Sequence, residues 1–367
     1  MSTQKSPNFT KWLKRIIVIL IFLEIVYLTL FNIFLNTSDA QKRINTIEPD
    51  KFQIQWESAW TPYPFRIHAK NLTIKGNSGS KEWQADVHTA SATLSLPSLM
   101  RHEVKVCNVK LKDITYTRQA ATSAAAPLTA INNEDNNSLT GAVEGDEKKK
   151  SPWDFVLSGV KICGHHTLKS SRLAGVLEGK IDTDLEINTK NGLLSVGDGK
   201  ISITINTLKN DKDQEIVKEG KIESRFTISP VAFKEKRRGE LLPYLALDAA
   251  ITAQMKNLDI FDTHLKKSRG IGLSGKGALK CAIHLKNGKL LPGSRLQIDA
   301  DKLSAAKRDY MLRGDGKIIA SVTQKHPETL EGKILFANFQ AYRLGTEHAP
   351  GDKTETMLFR GKGLTVD

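Results

Sequence analysis

Apolar and polar residues alternate with a period of two along most of this chain, and little competing helical period interrupts them. At 200–206, KISITIN places Ile201, Ile203 and Ile205 on one side and Ser202, Thr204 and Asn206 on the other. The run at 179–192, GKIDTDLEINTKNG, opposes Ile181, Leu185 and Ile187 to Asp182, Asp184 and Glu186, and closes on the turn pair Asn191-Gly192. Ile222, Phe226 and Ile228 form a further run; so do Leu245, Leu247, Ala249, Ile251 and Met255; so do Leu279, Cys281, Ile283 and Leu285, ending at Asn287-Gly288. Successive side chains of a strand point to opposite faces, so each of these segments is a strand with one apolar side. The chain is therefore expected to be mainly β, with all-helical and multi-span architectures excluded.

A second feature precedes the strands. Residues 16–35 read IIVILIFLEIVYLTLFNIFL, twenty residues of which only Glu24, Thr29 and Asn32 are not apolar. At 1.5 Å per residue this reaches about 30 Å, the thickness of bilayer hydrocarbon. Lys5, Lys11, Lys14 and Arg15 precede the run and only Lys42 and Arg43 follow closely, which predicts a single-pass anchor with its N-terminus in the cytoplasm. The run exceeds the ~7–15 apolar residues of a signal peptide, so an uncleaved anchor is expected, although Ser38-Asp39-Ala40 has the spacing of a cleavage site. A carboxyl inside a lone span costs about 2.5 kcal/mol when charged, which marks Glu24 either as a tolerated acid or as a contact for a partner helix.

These signals divide the chain into a tail (1–15), an anchor (16–35), an N-terminal β block (36–118), a linker (119–150) and a C-terminal β domain (151–367). The linker, QAATSAAAPLTAINNEDNNSLTGAVEGDEKKK, lacks aromatic residues and is expected to be disordered. In the C-terminal domain a short unit recurs: EGKI at 178, DGKI at 198, EGKI at 219, SGKG at 274, DGKI at 315, EGKI at 331 and RGKG at 360. Its Gly is expected to give a bend or turn and its Lys a solvated edge position. About 215 residues there would yield some fifteen strands, too wide for a flat open sheet, so the sheet must curl, split or enclose something.

Catalytic chemistry does not assemble. His165-His166 lack metal-ligand spacing and are expected in a loop. GIGLSGKG at 270–277 approaches a phosphate loop but offers Gly277 where Ser or Thr binds magnesium, and it leads into a strand. Cys107, Cys163 and Cys281 are too few for a disulfide framework. The formal charge of +14 favours anionic partners. The basic clusters at Lys234, Lys236, Arg237 and Arg238 and at Lys266, Lys267 and Arg269 lack interleaved aromatics, so nucleic acid is not expected. No enzyme activity, cofactor or metal is expected.

An anchor followed by WESAWTPYPFRIHAKNLTIKG, then ATLSLPSLMRHEVKVCNVKLKDITY, resembles the opening of the AsmA-like proteins of Gram-negative envelopes. The matching pieces are 65–74, 93–100 and 103–116, in the family's order, and the rest matches in style only. The resemblance implies an elongated curved antiparallel sheet, a β-groove related to bridge-like lipid-transfer proteins. It also implies an inner-membrane anchor, a periplasmic bulk, and a part in phospholipid movement or outer-membrane homeostasis. On that reading Ile181, Leu185, Ile187, Ile201, Ile203, Ile205, Ile222, Phe226, Ile228, Leu279, Ile283 and Leu285 line a lipid groove, with membrane phospholipid as ligand. A scaffold for outer-membrane protein assembly or a secretion complex is the alternative, its envelope partner held through Glu24 or a sheet edge. Alternation alone leaves a lipid-filled groove and a dry sandwich core equally open.

Overall fold

The computed structural model describes residues 7–46, 52–78, 81–101, 103–120, 154–189, 191–233, 238–261, 270–324, 330–344 and 355–366. Helix α1 (Pro7–Leu35) contains the apolar run and begins nine residues before it. Its segment Trp12–Leu35 is long and apolar enough to cross a membrane. Helix α2 (Ser38–Asn45) takes up the cleavage-like Ser38-Asp39-Ala40 and buries Ala40.

Everything else of regular structure, apart from the short α3 (Leu96–Leu99) and two 3-10 turns, is one curved, unclosed sheet. Its N-terminal edge is made of β1 (Phe52–Gln55) and β2 (Ser58–Tyr63), which both pair with β3 (Arg66–Ser78). There follow β4 (Lys81–Leu94), β5 (Glu103–Ala120), β6 (Asp154–Ser170), β7 (Leu173–Asn188), β8 (Leu193–Asn210) and β9 (Glu215–Ala232). The C-terminal part holds β10 (Leu245–Met255), β11 (Ile271–Lys286), β13 (Arg295–Lys307), β14 (Tyr310–Val322), β15 (Leu330–Leu344) and β16 (Glu355–Val366), with the two-residue β12 (Lys289–Leu290) folded onto β11. From β3 onward each strand lies beside its predecessor in sequence, except that β13 lies beside β11.

Two features depart from the sequence reading. Strands reach 18 residues, so the domain expected at 151–367 has eleven of them, β6 to β16, among the described residues instead of fifteen. The N- and C-terminal blocks share the one expected sheet, but their junction is not antiparallel: β5 and β6 pair in parallel where every other pairing among the described strands is antiparallel. A parallel neighbour requires the chain to return to the end from which it started, a distance of about 55 Å for strands this long. The segment between β5 and β6 is long enough to make that crossing. Gln119 and Ala120 of the expected linker end β5, and the rest of it lies outside the described residues.

Register fixes which side chains share a face. One row runs Ala69, Ala90, Leu111, Ile162, Ile181, Ile201, Ser224, Ala249, Ile283 across nine strands, from β3 to β11. On the other face the adjacent row reads Ser91, Lys110, Lys161, Asp182, Lys200, Arg225, Asp248, His284. The sheet is thus apolar on one side and charged on the other over most of its width.

The recurring Gly-Lys units explain how the sheet bends. Gly179, Gly199, Gly220, Gly275, Gly316, Gly332 and Gly361 all lie within strands on the apolar face, and the lysines that follow them point to the charged face. They lie within strands and not at turns, and of the seven only Gly361-Lys362, on β16, stands on an edge strand of the described sheet, so the expected bend fits and the expected edge position does not. At Gly179, φ is +157°, and a Cβ would stand 2.2 Å from the Ser202 carbonyl oxygen. At Gly199 it would stand 2.5 Å from the Phe226 ring, which lies over the missing side chain. Removing side chains along one face lets neighbouring strands close toward that face, so these glycines favour curvature with the apolar side inward.

Toward β13–β15 the face becomes a true core. Leu258, Leu303, Ile298 and Phe336 are at most 2% exposed although no second sheet covers them. They are covered by Ile216, Val217, Met255, Leu273 and Phe339 of the same face and by the Asp259–Phe261 3-10 turn folded across it.

Candidate functional site

All twelve expected lining residues fall on the apolar face. Ile181, Leu185 and Ile187 come from β7, Ile201, Ile203 and Ile205 from β8, Ile222, Phe226 and Ile228 from β9, and Leu279, Ile283 and Leu285 from β11. Register brings Ile181 opposite Ile201, Ile203 opposite Ile222, and Ile205 opposite Gly220. The twelve also share one exposure class: each is half-buried, none is fully buried and none is fully exposed. Side chains interlocked between two layers of a sandwich would be sealed, as Phe336 is. Ile205 and Leu279 pack against the closed core, and the other ten lie outside that cluster. Over β7–β9 the expected lining positions are therefore unsealed, and this stretch is stopped toward its C-terminal side by Leu258 and the Asp259–Phe261 turn, where the closed cluster begins. That stopper was not legible in the sequence, where NLDIF at 257–261 carries no strand period.

The apolar face continues over the N-terminal strands. Leu111, Ile162 and Leu177 occupy it and are half-buried. His166 stands on this face opposite Leu177. Its Nδ1 accepts the Ile114 backbone N–H at 3.2 Å, so the ring is neutral in the fold. Burial pushes its pKa below the ordinary histidine value; the Gly179 backbone and the Asp113 carboxylate oppose this in part, and His165 adds a smaller lowering. Both histidines sit within β6, not in a loop as expected. Since the unfolded chain binds the proton more readily, stability is complete above the ordinary histidine range and is lost as pH falls through the depressed value. Melting temperatures taken between pH 7.5 and 5 should fall for wild type, and less for His166→Gln; equal slopes would contradict this assignment.

The charged face carries exposed pairs, including Lys161–Asp182 at 2.8 Å and His284–Asp248 at 2.8 Å. A shallow hollow of about 510 Å³ lies there over Ala250 and Ala282, ringed by Lys180, Arg225, Asp248 and His284. It forms where two alanines stand among long side chains, and Ser202, Glu223 and Ser224 also line it. No group of three His, Cys, Asp or Glu suited to a metal occurs among the described residues. Cys107, Cys163 and Cys281 are free thiols, and burial pushes that of Cys281 up. Of the basic clusters, only Arg238 is described, at the start of a 3-10 helix; Lys234, Lys236, Arg237, Lys266, Lys267 and Arg269 lie outside the described residues.

Glu24 is exposed on α1, about midway along the apolar segment. The helix is tied to the sheet by carboxamides instead. Asn32 Nδ2 donates to the Thr61 carbonyl at 3.1 Å, and the Thr61 N–H donates to Asn32 Oδ1 at 2.7 Å. Asn36 makes the same two bonds to Ala59, at 2.7 and 3.1 Å, and Asn45 the same two to Ile54, at 3.0 and 2.7 Å. Gln41 reaches the Trp56 carbonyl, and Trp56 Nε1 donates to the Leu35 carbonyl. An unpaired strand edge offers N–H and C=O groups that invite a further strand. Here side-chain amides take the place of that strand. The sequence hint was an Asn at 32 and another at 36, one helical turn apart.

Compared with known protein families and with curated proteins, the sequence matches none.

Proposed function

We propose that this protein is a membrane-anchored carrier or conduit for phospholipid acyl chains, with the apolar face of the sheet as the lipid-bearing surface. The observation that carries the reading is the common state of the ten lining residues outside the closed core: aligned by register, on one face, and each half-exposed instead of sealed. Burying a methylene from water contributes about 0.8 kcal/mol, so a trough lined by Ile, Leu and Phe offsets the transfer of a tail from the bilayer without a catalytic residue. The order of the AsmA-like motifs supports the same reading, and with it placement of the anchor in an inner membrane and of the sheet in the periplasm. Native mass spectrometry of the full chain extracted in mild detergent should show phospholipid masses bound; a lipid-free protein with an unchanged fold would contradict the proposal.

A second reading, an assembly scaffold, is favoured by the last strand. Met357, Leu358 and Phe359 of β16 are 47–57% exposed on the open edge of the described sheet. On this reading a protein partner extends the sheet or binds α1 through Glu24, and crosslinking from β16 would recover that partner.

A further inference from the structure

We infer that the end of the sheet nearest α1, formed by the β2–β3 turn and the β4–β5 connection, is itself inserted in the lipid leaflet where α1 ends. This inference rests on α1 crossing a bilayer, and does not require an acyl chain in the trough.

The first argument is depth. The Tyr27 ring stacks on Phe31, 5.6 Å between centroids, and stands 6.5 Å from Phe65 in the β2–β3 turn. Tyr27 precedes Leu35 by eight residues, about 12 Å along the helix. The segment Trp12–Leu35 is about 36 Å long, so about 30 Å of hydrocarbon centred on it ends about 3 Å short of Leu35. Tyr27 then stands about 9 Å inside the hydrocarbon boundary, with the Phe65 ring 6.5 Å from it.

The second argument is how the backbone is satisfied at that boundary. Asn32 lies about 1.5 Å inside it and Asn36 about 4.5 Å outside, where water is scarce and backbone groups are bonded within the protein. β2 is an edge strand, so Ala59 and Thr61 would leave two N–H and two C=O groups unpaired toward lipid. All four are bonded by Asn32 of α1 and by Asn36 just after it. Pro62, which has no N–H, follows on the same strand, and the Thr61 hydroxyl donates to the Tyr63 carbonyl at 2.6 Å.

The surrounding side chains suit a leaflet. The Leu94 N–H donates to the Phe65 carbonyl at 2.7 Å, which holds the β4–β5 connection beside the turn. On that connection Leu96 is 46% and Met100 79% exposed, and Tyr63 is 46% exposed next to them. The Arg66 guanidinium lies 5.5 Å from the Tyr63 ring centroid, and Arg101 follows Met100. Apolar tips flanked by arginines fit acyl chains below and phosphate groups above.

Spin-label accessibility tests this directly. The full chain with C107S, C163S and C281S, labelled at Met100→Cys, is reconstituted in phosphatidylethanolamine and phosphatidylglycerol vesicles. Leu20→Cys in α1 and Tyr310→Cys at the opposite end of the sheet are the references. Met100 should favour oxygen over a water-soluble nickel chelate as Leu20 does, whereas Tyr310 favours the chelate. If Met100 follows Tyr310 while Leu20 remains lipid-exposed, the insertion is wrong and the anchor stands. Should the cysteine-free chain fail to fold, Met100→Trp and Tyr310→Trp on the native background give the same contrast through quenching by brominated lipid. Quenching several-fold stronger at Met100 supports the inference, and equal quenching overturns it.

Discussion

Replacing Ile203 by Glu is expected to lower co-purifying phospholipid at least tenfold while leaving the melting temperature within a few degrees of wild type. Ile203 lies opposite Gly179 on β7 and Ile222 on β9, in the middle of the apolar face, and is half-exposed. With the trough empty, a carboxylate there keeps much of its water, and the folding cost stays near that of an ordinary surface change. With an acyl chain against it, the same carboxylate must be dehydrated without a partner, which costs several kcal/mol, and each 1.4 kcal/mol is tenfold in affinity. A sealed core makes the opposite forecast, because the charge would be buried in the folded state itself. The comparison of bound lipid with melting temperature therefore separates the two arrangements that alternation leaves open. Loss of folding in Ile203→Glu would favour the core.

The second large effect is expected on the same face, with the outcomes reversed. Phe336→Ala should destabilise the protein by about 3–5 kcal/mol, as deletion of a buried aromatic side chain does. At about 2–4 °C per kcal/mol for a domain of this size, the melting temperature falls by roughly 6–20 °C. Phe336 is 2% exposed, faces Gly316 across β14 and Leu364 across β16, and has the Phe339 ring at 6.4 Å. Its removal opens a cavity that those glycine-rich strands have no side chains to fill. Bound lipid should change less than in Ile203→Glu, since Phe336 belongs to the closed cluster and not to the half-exposed rows. A melting temperature within 2 °C of wild type would show that this end of the face is as open as the centre.

The contrast between these positions also marks what the sequence makes legible. Alternation assigns Ile181, Ile201, Ile203 and Ile222 to one face, because a period of two has only one solution once a segment is a strand. It places β10 at 245–255, with the bounds the structure shows. It does not say whether a face is covered, because Ile203 and Ile298 stand in the same alternation while one is half-exposed and the other 2% exposed. That difference depends on Leu258 and the turn after it, contributed from a connection with no period of its own. The parallel junction of β5 and β6 is invisible for a related reason: both strands alternate alike whichever way they run. The Gly-Lys units announce themselves by recurrence, but their position within strands needs the register. The amide clamp involves Asn32, which looks like an interruption in an apolar run until Thr61 is placed beside it.

The most direct test is to photocrosslink from two neighbouring positions of β8 in living cells. Benzoylphenylalanine at position 203 looks into the apolar face, and at position 202 it looks out from the charged one, where Ser202 stands between Lys180 and Glu223. After irradiation, the protein carrying the probe at 203 should acquire the mass of a phospholipid, and the protein carrying it at 202 should not. Adducts equal at both positions, or absent from both in a folded protein, would contradict a lipid-bearing trough.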